Sequence, residues 1–348
     1  MADKLRIGII GFGKMGRIRK RTIDARDDAV AVAACDPFAD MSDVTDMATY
    51  RDWRELLEHD LDAVVISCTN DLIPDIAVAA LNKGYHVFAE KPPGRNVADV
   101  NRIREAALNQ PGKKLKFGFN HRYHDSVVDA KNLVQSGRLG RVLWMRGVYG
   151  KAGGPGYDKN WRNDPTKSGG GILLDQGIHM LDLFHNFCGT FDEVSGFVGR
   201  QFWQVPVEDN AFAMMRNRDG QVAMIHSSAT QWRHTFRLEI YLEKGFLRLE
   251  GILSSTMTYG KESLVIARCQ YDADGYAMPN PEETITYYDT DLSWEREMDE
   301  FVTCVNERQP VRIGTIDDAM AAMGAVYAIY ESDPSWVSRM APVELPAQ

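Results

Sequence analysis

The chain has 348 residues, 44% hydrophobic and 26% charged, and its 40 basic against 49 acidic side chains leave a formal charge of −9. This is the composition of an ordinary globular protein of about two domains, which excludes disordered, collagen-like and repeat architectures. The negative charge argues against nucleic-acid and anionic-membrane partners, and no stretch reaches the ~18 apolar residues of a membrane helix.

The N-terminus runs directly into an apolar strand, without room for a signal-peptide core. Five scattered cysteines, Cys35, Cys68, Cys188, Cys269 and Cys304, form no CxxC pair and read as reduced thiols of a cytoplasmic protein. Residues 5–10, 30–35, 63–67, 86–89 and 115–119 are short apolar runs, as in strands buried on both faces of a parallel sheet. Helical patterns fall between them at 15–25, 52–58, 73–83 and 97–108. Strand and helix in alternation predict a doubly wound α/β domain, and the texture changes after Asn120. Beyond it come a helix at 126–135, a strand at 142–149 and a loop at 150–171 rich in Gly, Pro and Lys. A helix at 172–188 is entered from a glycine run, Gly169 to Gly171, read as flexible. Seven strands between 194 and 288 with short turns predict an antiparallel sheet. Helices at 293–307 and 317–331 follow. The expected domains are therefore 1–121 and 122–348.

Gly11-Phe12-Gly13-Lys14-Met15-Gly16 matches GxGxxG between a strand and a helix. The first glycine permits the turn, the second admits a pyrophosphate and the third lets the helix pack. The pyrophosphate would meet the positive N-terminus of the helix. Asp36 ends the second strand at the distance expected of a carboxylate binding the adenosine ribose. A carboxylate there repels a 2′-phosphate, so NAD is expected over NADP. Arg17, Arg19, Lys20 and Arg21 read as a solvated helix face. Thr69 and Asn70 follow one strand tip and Glu90 and Lys91 another, which completes the candidate cofactor set. Cys68 reads as packing.

In the helix at 172–188, Asp175, His179, Asp182 and Asn186 share a polar stripe beside apolar neighbours. A carboxylate and an imidazole at i, i+4 suit acid/base chemistry, and Lys91 is placed to reach a substrate. A zinc site built on His121 and His124, or on His179, His185 and Cys188, lacks a complete ligand set at workable spacing. Asn120, His121 and Arg122 follow a strand tip, and Tyr157, Trp161 and Arg162 lie on the long loop. An aromatic there stacks on a sugar and an arginine forks onto an anion. Lys151, Lys159 and Lys167 make the loop basic, which points to an anionic substrate. Trp294 and the aromatic strands of the second half read as core or interface rather than substrate platform.

These motifs together, with Glu90-Lys91-Pro92, Asp175-xxx-His179 and the stretch from Trp161-Arg162 to Gly169–Gly171, resemble the Gfo/Idh/MocA family of NAD(P)-dependent oxidoreductases along nearly the whole chain. The resemblance implies a Rossmann domain, a C-terminal α/β domain with a large, mainly antiparallel sheet, and a homodimer or homotetramer paired through that sheet. It implies hydride transfer between NAD and a secondary alcohol or ketone of a sugar, cyclitol, sugar acid or nucleotide sugar. Lys91, Asp175 and His179 would be catalytic, with Lys91, Asn120, Arg122, Tyr157, Trp161, Arg162, Asp175 and His179 around the substrate and no metal. The family often has a histidine where this chain has Arg19. An NAD-dependent glycosidase using transient oxidation, and a non-catalytic NAD-binding regulator, are the competing expectations.

Overall fold

The computed structural model describes residues 4–338 apart from Ser255. The chain divides into two compact units. The first takes in residues up to 120, joined by 167–169 and 292–320. Its elements are β1 (Leu5–Ile10), α1 (Lys14–Asp24), β2 (Ala29–Cys35), β3 (Ala48–Tyr50), α2 (Trp53–Leu56), β4 (Ala63–Ile66), α3 (Ile73–Asn82), β5 (His86–Glu90), α4 (Val97–Leu108) and β6 (Leu115–Gly118). The six strands lie in the order β3-β2-β1-β4-β5-β6 and every pairing is parallel. This is the doubly wound Rossmann arrangement that the alternating pattern predicts, with strands apolar on both faces because helices cover both. Three-residue β3 is too short to show a period in sequence.

The second unit holds α5 (Asp125–Gln135), β7 (Val142–Ala152), α6 (Pro165–Ser168, its end in the first unit), α7 (Ile178–Cys188), and strands β8 (Glu193–Gly199), β9 (Asn210–Arg216), β10 (Val222–Ser228), β11 (Thr230–Leu242), β12 (Gly245–Glu250), β13 (Glu262–Arg268) and β14 (Glu283–Tyr288). Its eight strands run β14-β13-β12-β11-β7-β10-β9-β8. One pairing departs from the antiparallel rule: β10 lies parallel to β7. The chain leaves β7 through the long loop and α7, returns at the far edge as β8, and meanders inward to close on β7.

Inward-facing Met145 and Tyr149 of β7 are buried, and Gly147 between them leaves room for Met180 and Phe184 of α7. A Cβ at Gly147 would lie 2.6 Å from the Met180 side chain. The opposite face keeps Phe197, Phe212 and Met214 exposed. The predicted helix at 172–188 is a π-helical turn over Leu173–Gly177 continued by α7.

Helices α8 (Ser293–Asn306), α9 (Ile316–Glu331) and α10 (Pro334–Val337) end the described chain. Met298, Phe301 and Val302 of α8 join Ile7, Ile9, Ile23 and Phe88 in one core. The i, i+3, i+4 spacing that marks α8 as amphipathic thus serves the first unit, which it follows only after the whole second sheet. Among the described residues no helix is long and apolar enough to cross a membrane.

The basic run on α1 corrects one expectation. Arg17 pairs with Asp43, and Lys20 with Asp24 and Asp46, but Arg19 is fully buried. Its guanidinium reaches Glu90 at 2.7 Å and Glu297 at 2.6 Å, flanked by the Phe88 and Trp294 rings at 4.3 and 4.9 Å. Two carboxylates make burial of that charge possible.

Candidate functional site

The first unit carries a phosphate-type loop. Gly11 has φ +88°, and a Cβ there would sit 2.5 Å from Ser67 O. A Cβ at Gly16 would overlap the Gly11 carbonyl. Gly13, the N-cap of α1, has no atom within 4 Å of a Cβ position and no side-chain cap. The three glycines therefore do different work: Gly11 makes the turn, Gly16 lets α1 close, and Gly13 leaves an open cradle before the helix amides. That opening fits a dinucleotide pyrophosphate.

Asp36 stands beside the cradle at the end of β2. Its Oδ2 accepts from Phe12 N at 2.8 Å, and Oδ1 accepts from Phe38 N and Ala39 N at 2.9 and 2.8 Å. The carboxylate is held by backbone on both oxygens, with a second lone pair on Oδ2 for a further donor. Arg17 lies over the Phe12 ring but is committed to Asp43 and Asp40 O. Thr69 is half-buried. The buried Asn70 spends its amide on Ser168 O at 2.8 Å.

Glu90, the last residue of β5, accepts from Arg19 Nε at 2.7 Å, and Lys91 follows it at the carboxyl end of the sheet through a cis peptide to Pro92. Burial pushes the Glu297 carboxyl up to about 7 against the pull of Arg19 and Lys116. Asn120, at the end of the unit, donates to Ser293 Oγ at 3.0 Å. Nothing in the sequence marks Arg19 as buried, because the residues that neutralise it lie in β5 and α8.

The second unit gathers imidazoles and hydroxyls at the N-terminal end of α7. His179 is buried and its ring stacks on His121, with centroids 3.7 Å apart and planes 13° from parallel. His121 Nε2 lies 3.1 Å from the Tyr149 hydroxyl, which is hydrogen-bonded to Tyr259. Gln176 Nε2 donates to Tyr259 Oη at 2.8 Å. Burial holds the Tyr149 phenol well above its ordinary range and pushes Tyr259 up to about 12, so both stay protonated donors. Tyr149 and Tyr259 carry no motif, and the stack on His121 joins residues far apart in the chain, so sequence reading could not pair them.

Asp175 is bound by two cations, Lys151 Nζ at 3.0 Å and Arg162 Nε at 3.1 Å. Arg162 also lies over the Trp161 ring at 4.6 Å. Tyr157, Asn160 and Asn163 line the same small pocket. Arg122 turns inward: its guanidinium is buried against Asp182, with Nε to Oδ2 at 2.8 Å. The polar stripe on α7 is thus divided, with Asp182 neutralised internally.

The glycine run is not a flexible entry. Gly171 N donates to Glu208 Oε2 at 2.7 Å and Leu173 N to Oε1 at 2.9 Å, while Tyr330 Oη donates to Oε1 at 2.8 Å. A Cβ on Gly171 would overlap the Glu208 carbonyl, and one on Gly170 the Tyr330 hydroxyl. These glycines are there for close packing. Burial drives the Glu208 carboxyl up to about 7. Among the described residues no group of three or more His, Cys, Asp or Glu side chains is arranged to hold a metal ion.

Residues 5–119 match the description "oxidoreductase family, NAD-binding Rossmann fold" and residues 127–248 match "GFO/IDH/MocA C-terminal domain". The chain belongs to the Gfo/Idh/MocA family of oxidoreductases and its first unit is an NAD-binding Rossmann fold. It is similar to myo-inositol 2-dehydrogenase of Thermotoga maritima, 27% identical over 270 residues that cover 74% of this chain and 79% of the relative. Inositol 2-dehydrogenase of Salmonella typhimurium is 26% identical over 264 residues, covering 73% and 76%. Levoglucosan dehydrogenase in complex with NADH shares the fold with a TM-score of 0.83 at 20% identity, covering 97% of this chain and 98% of that one.

Proposed function

We propose that the protein is an NAD-dependent dehydrogenase, reversible as a reductase, acting on a secondary alcohol of a sugar-like substrate. The observation that carries this reading is the buried His179, stacked on His121 and entered through the Glu208-pinned turn, in a chain whose other unit is an NAD-binding fold. Relatives named as inositol dehydrogenases support a sugar or cyclitol; a sugar acid or nucleotide sugar would suit the two cations that share one carboxylate at Asp175.

Gly11, Phe12, Gly13, Lys14, Met15 and Gly16 would hold the pyrophosphate, Asp36 the ribose, and Thr69, Asn70, Glu90 and Lys91 the remainder of NAD. Asp36 supports NAD over NADP by charge. When bound, NAD supplies the two-electron acceptor. The alcohol carbon gives up a hydride and its hydroxyl a proton; His179 takes that proton on an imidazole nitrogen, and Lys91 hydrogen-bonds the oxygen as negative charge develops. Asp175 ties the loop bearing Trp161 and Arg162 to the turn before α7. Tyr157, Trp161 and Arg162 contact the substrate, while Asn120 and Arg122 support it from within their internal bonds.

On this reading residues 1–121 form the cofactor domain and 122–348 the substrate and oligomerisation domain, with 292–320 packed on the former. The open face of the second sheet, with Phe197, Phe212 and Met214, pairs copies into a homodimer or homotetramer. Five free thiols favour a cytoplasmic setting.

A screen of sugars, cyclitols and nucleotide sugars for NADH formation tests the reading. Lys91→Ala and His179→Ala should each lower turnover about 100-fold with NAD binding retained. Release of an aglycone without net NADH would favour the glycosidase, and wild-type turnover in both variants would remove the assignment.

A further inference from the structure

A run of aromatic rings leads outward from the Asp175 pocket. Tyr157 lines that pocket beside Lys151, Arg162 and Asp175. Its ring meets Trp203 at 4.6 Å between centroids, Trp203 meets Phe202 at 5.1 Å, and Phe202 meets Trp232 at 5.1 Å. The last two contacts are nearly perpendicular, at 87° and 81°. The inner rings are partly covered, whereas Phe202 is 56% and Trp232 63% exposed.

The run is built rather than incidental. Asp209 is fully buried and its carboxylate accepts three successive backbone N–H groups, from Gln201, Phe202 and Trp203, each at 2.8 Å. Trp203 Nε1 donates to Ala229 O at 3.0 Å, the carbonyl that also accepts from Gly153 N. A Cβ on Gly153 would overlap the Trp203 indole and stand 2.9 Å from the Tyr157 ring, so a glycine there lets the rings close. A buried carboxylate thus fixes in advance the loop whose outermost aromatic faces solvent. Rigid aromatics held this way offer contact area at low entropic cost.

We propose that Phe202 and Trp232, backed by Trp203, form an outer subsite for a second sugar ring, so that the preferred substrate is a glycoside of disaccharide size. The inference rests on the proposed reading of Tyr157, Trp161 and Arg162 as contacts of the reacting sugar. A pyranose offers a C–H face to an aromatic ring and hydroxyls at its rim, and continuity with the polar pocket through Tyr157 makes a sugar chain the occupant. The sequence does not show this run, because the 201–203 loop and the start of β11 meet only in the fold.

The test compares kcat/KM for matched pairs, D-glucose with maltose and cellobiose and D-galactose with lactose, in the wild type and in Trp232→Ala and Phe202→Ala. In the wild type one disaccharide should exceed its monosaccharide by about tenfold or more, and each variant should lower that ratio about tenfold through KM. Titration of the wild-type intrinsic fluorescence with the same sugars reads the subsite without turnover; disaccharide quenching should be lost in Trp232→Ala. Disaccharide-specific quenching without NADH formation from any sugar would keep the subsite and strike the dehydrogenase reading. A ratio and a quenching unchanged by both substitutions would overturn the subsite. So would a shift to a smaller oligomer in Trp232→Ala, which would assign the rings to an interface between copies.

Discussion

Asp36 is held by three backbone amides at the tip of β2, so its charge has little freedom to move away from an incoming ligand. Asp36→Ser should therefore narrow the preference for NAD over NADP, read as the ratio of kcat/KM for the two cofactors; an unchanged ratio would take Asp36 out of the cofactor site. Glu208 makes a different prediction. Its carboxyl is raised from 4.5 to about 7 by burial, so the folded protein keeps a proton that the unfolded chain has released. That contribution to stability is complete below pH 4.5 and is lost as the pH rises through about 7. The melting temperature should fall across this window, and Glu208→Gln should flatten the fall even while weakening the turn it holds. Equal slopes in the two proteins would place the titration elsewhere. Lys91, Asp175 and His179 stand out as candidates in the sequence by their places on strand tip and helix, as His121 and Lys151 do by following a strand tip and lying on a basic loop. Tyr149 and Glu208 do not, since each matters only through a partner distant in the chain, and the His121 stack and the Lys151 ion pair are equally hidden there.

At the scale of the element, the loop from β1 to α1 separates fold from binding within six residues. A methyl group at Gly13 meets nothing, whereas one at Gly16 meets the Gly11 carbonyl. Gly13→Ala should leave the melting temperature nearly unchanged and weaken NAD binding at least about tenfold, because the methyl fills the space a pyrophosphate needs. Gly16→Ala should lower the melting temperature by several degrees, because α1 must shift off β1. Thermal denaturation and titration calorimetry with NAD measure the two effects, and a loss of stability in both variants would show that the cradle is structural. The glycine run before α7 looks in sequence like the Gly11–Gly16 loop, a flexible approach to a helix, yet its Gly170 and Gly171 are packed against Tyr330 and Glu208. A glycine in sequence says that a side chain is unwelcome; only the neighbours say whether a ligand or another part of the protein takes its place.

On the scale of the molecule, the second unit's sheet buries one face under α5 and α7 and leaves the other open. Phe197, Phe212 and Met214 stand exposed there, and Trp144, Tyr241 and Phe246 stack across the adjoining strands. On the reading proposed above, this apolar face is the interface between copies. Phe212→Asp combined with Met214→Asp should convert the assembly to a smaller species in sedimentation velocity, and an unchanged mass would assign the contact to another surface. Sequence alone determines much here. Apolar runs of strand length between helical periods dictate the parallel sheet, because both faces of each strand must be covered. GxGxxG with a carboxylate at the next strand tip dictates the dinucleotide loop. What only the tertiary structure decided is which charges pair and which element serves which unit: Arg19 buried between Glu90 and Glu297, α8 returned to the first core, β10 parallel to β7, and Asp175 held by Lys151 and Arg162. Local pattern reports periodicity and backbone need, which act over a few residues. Burial of a charge or choice of a strand partner is settled by groups brought together from across the chain, and no short window of sequence contains both sides of that balance.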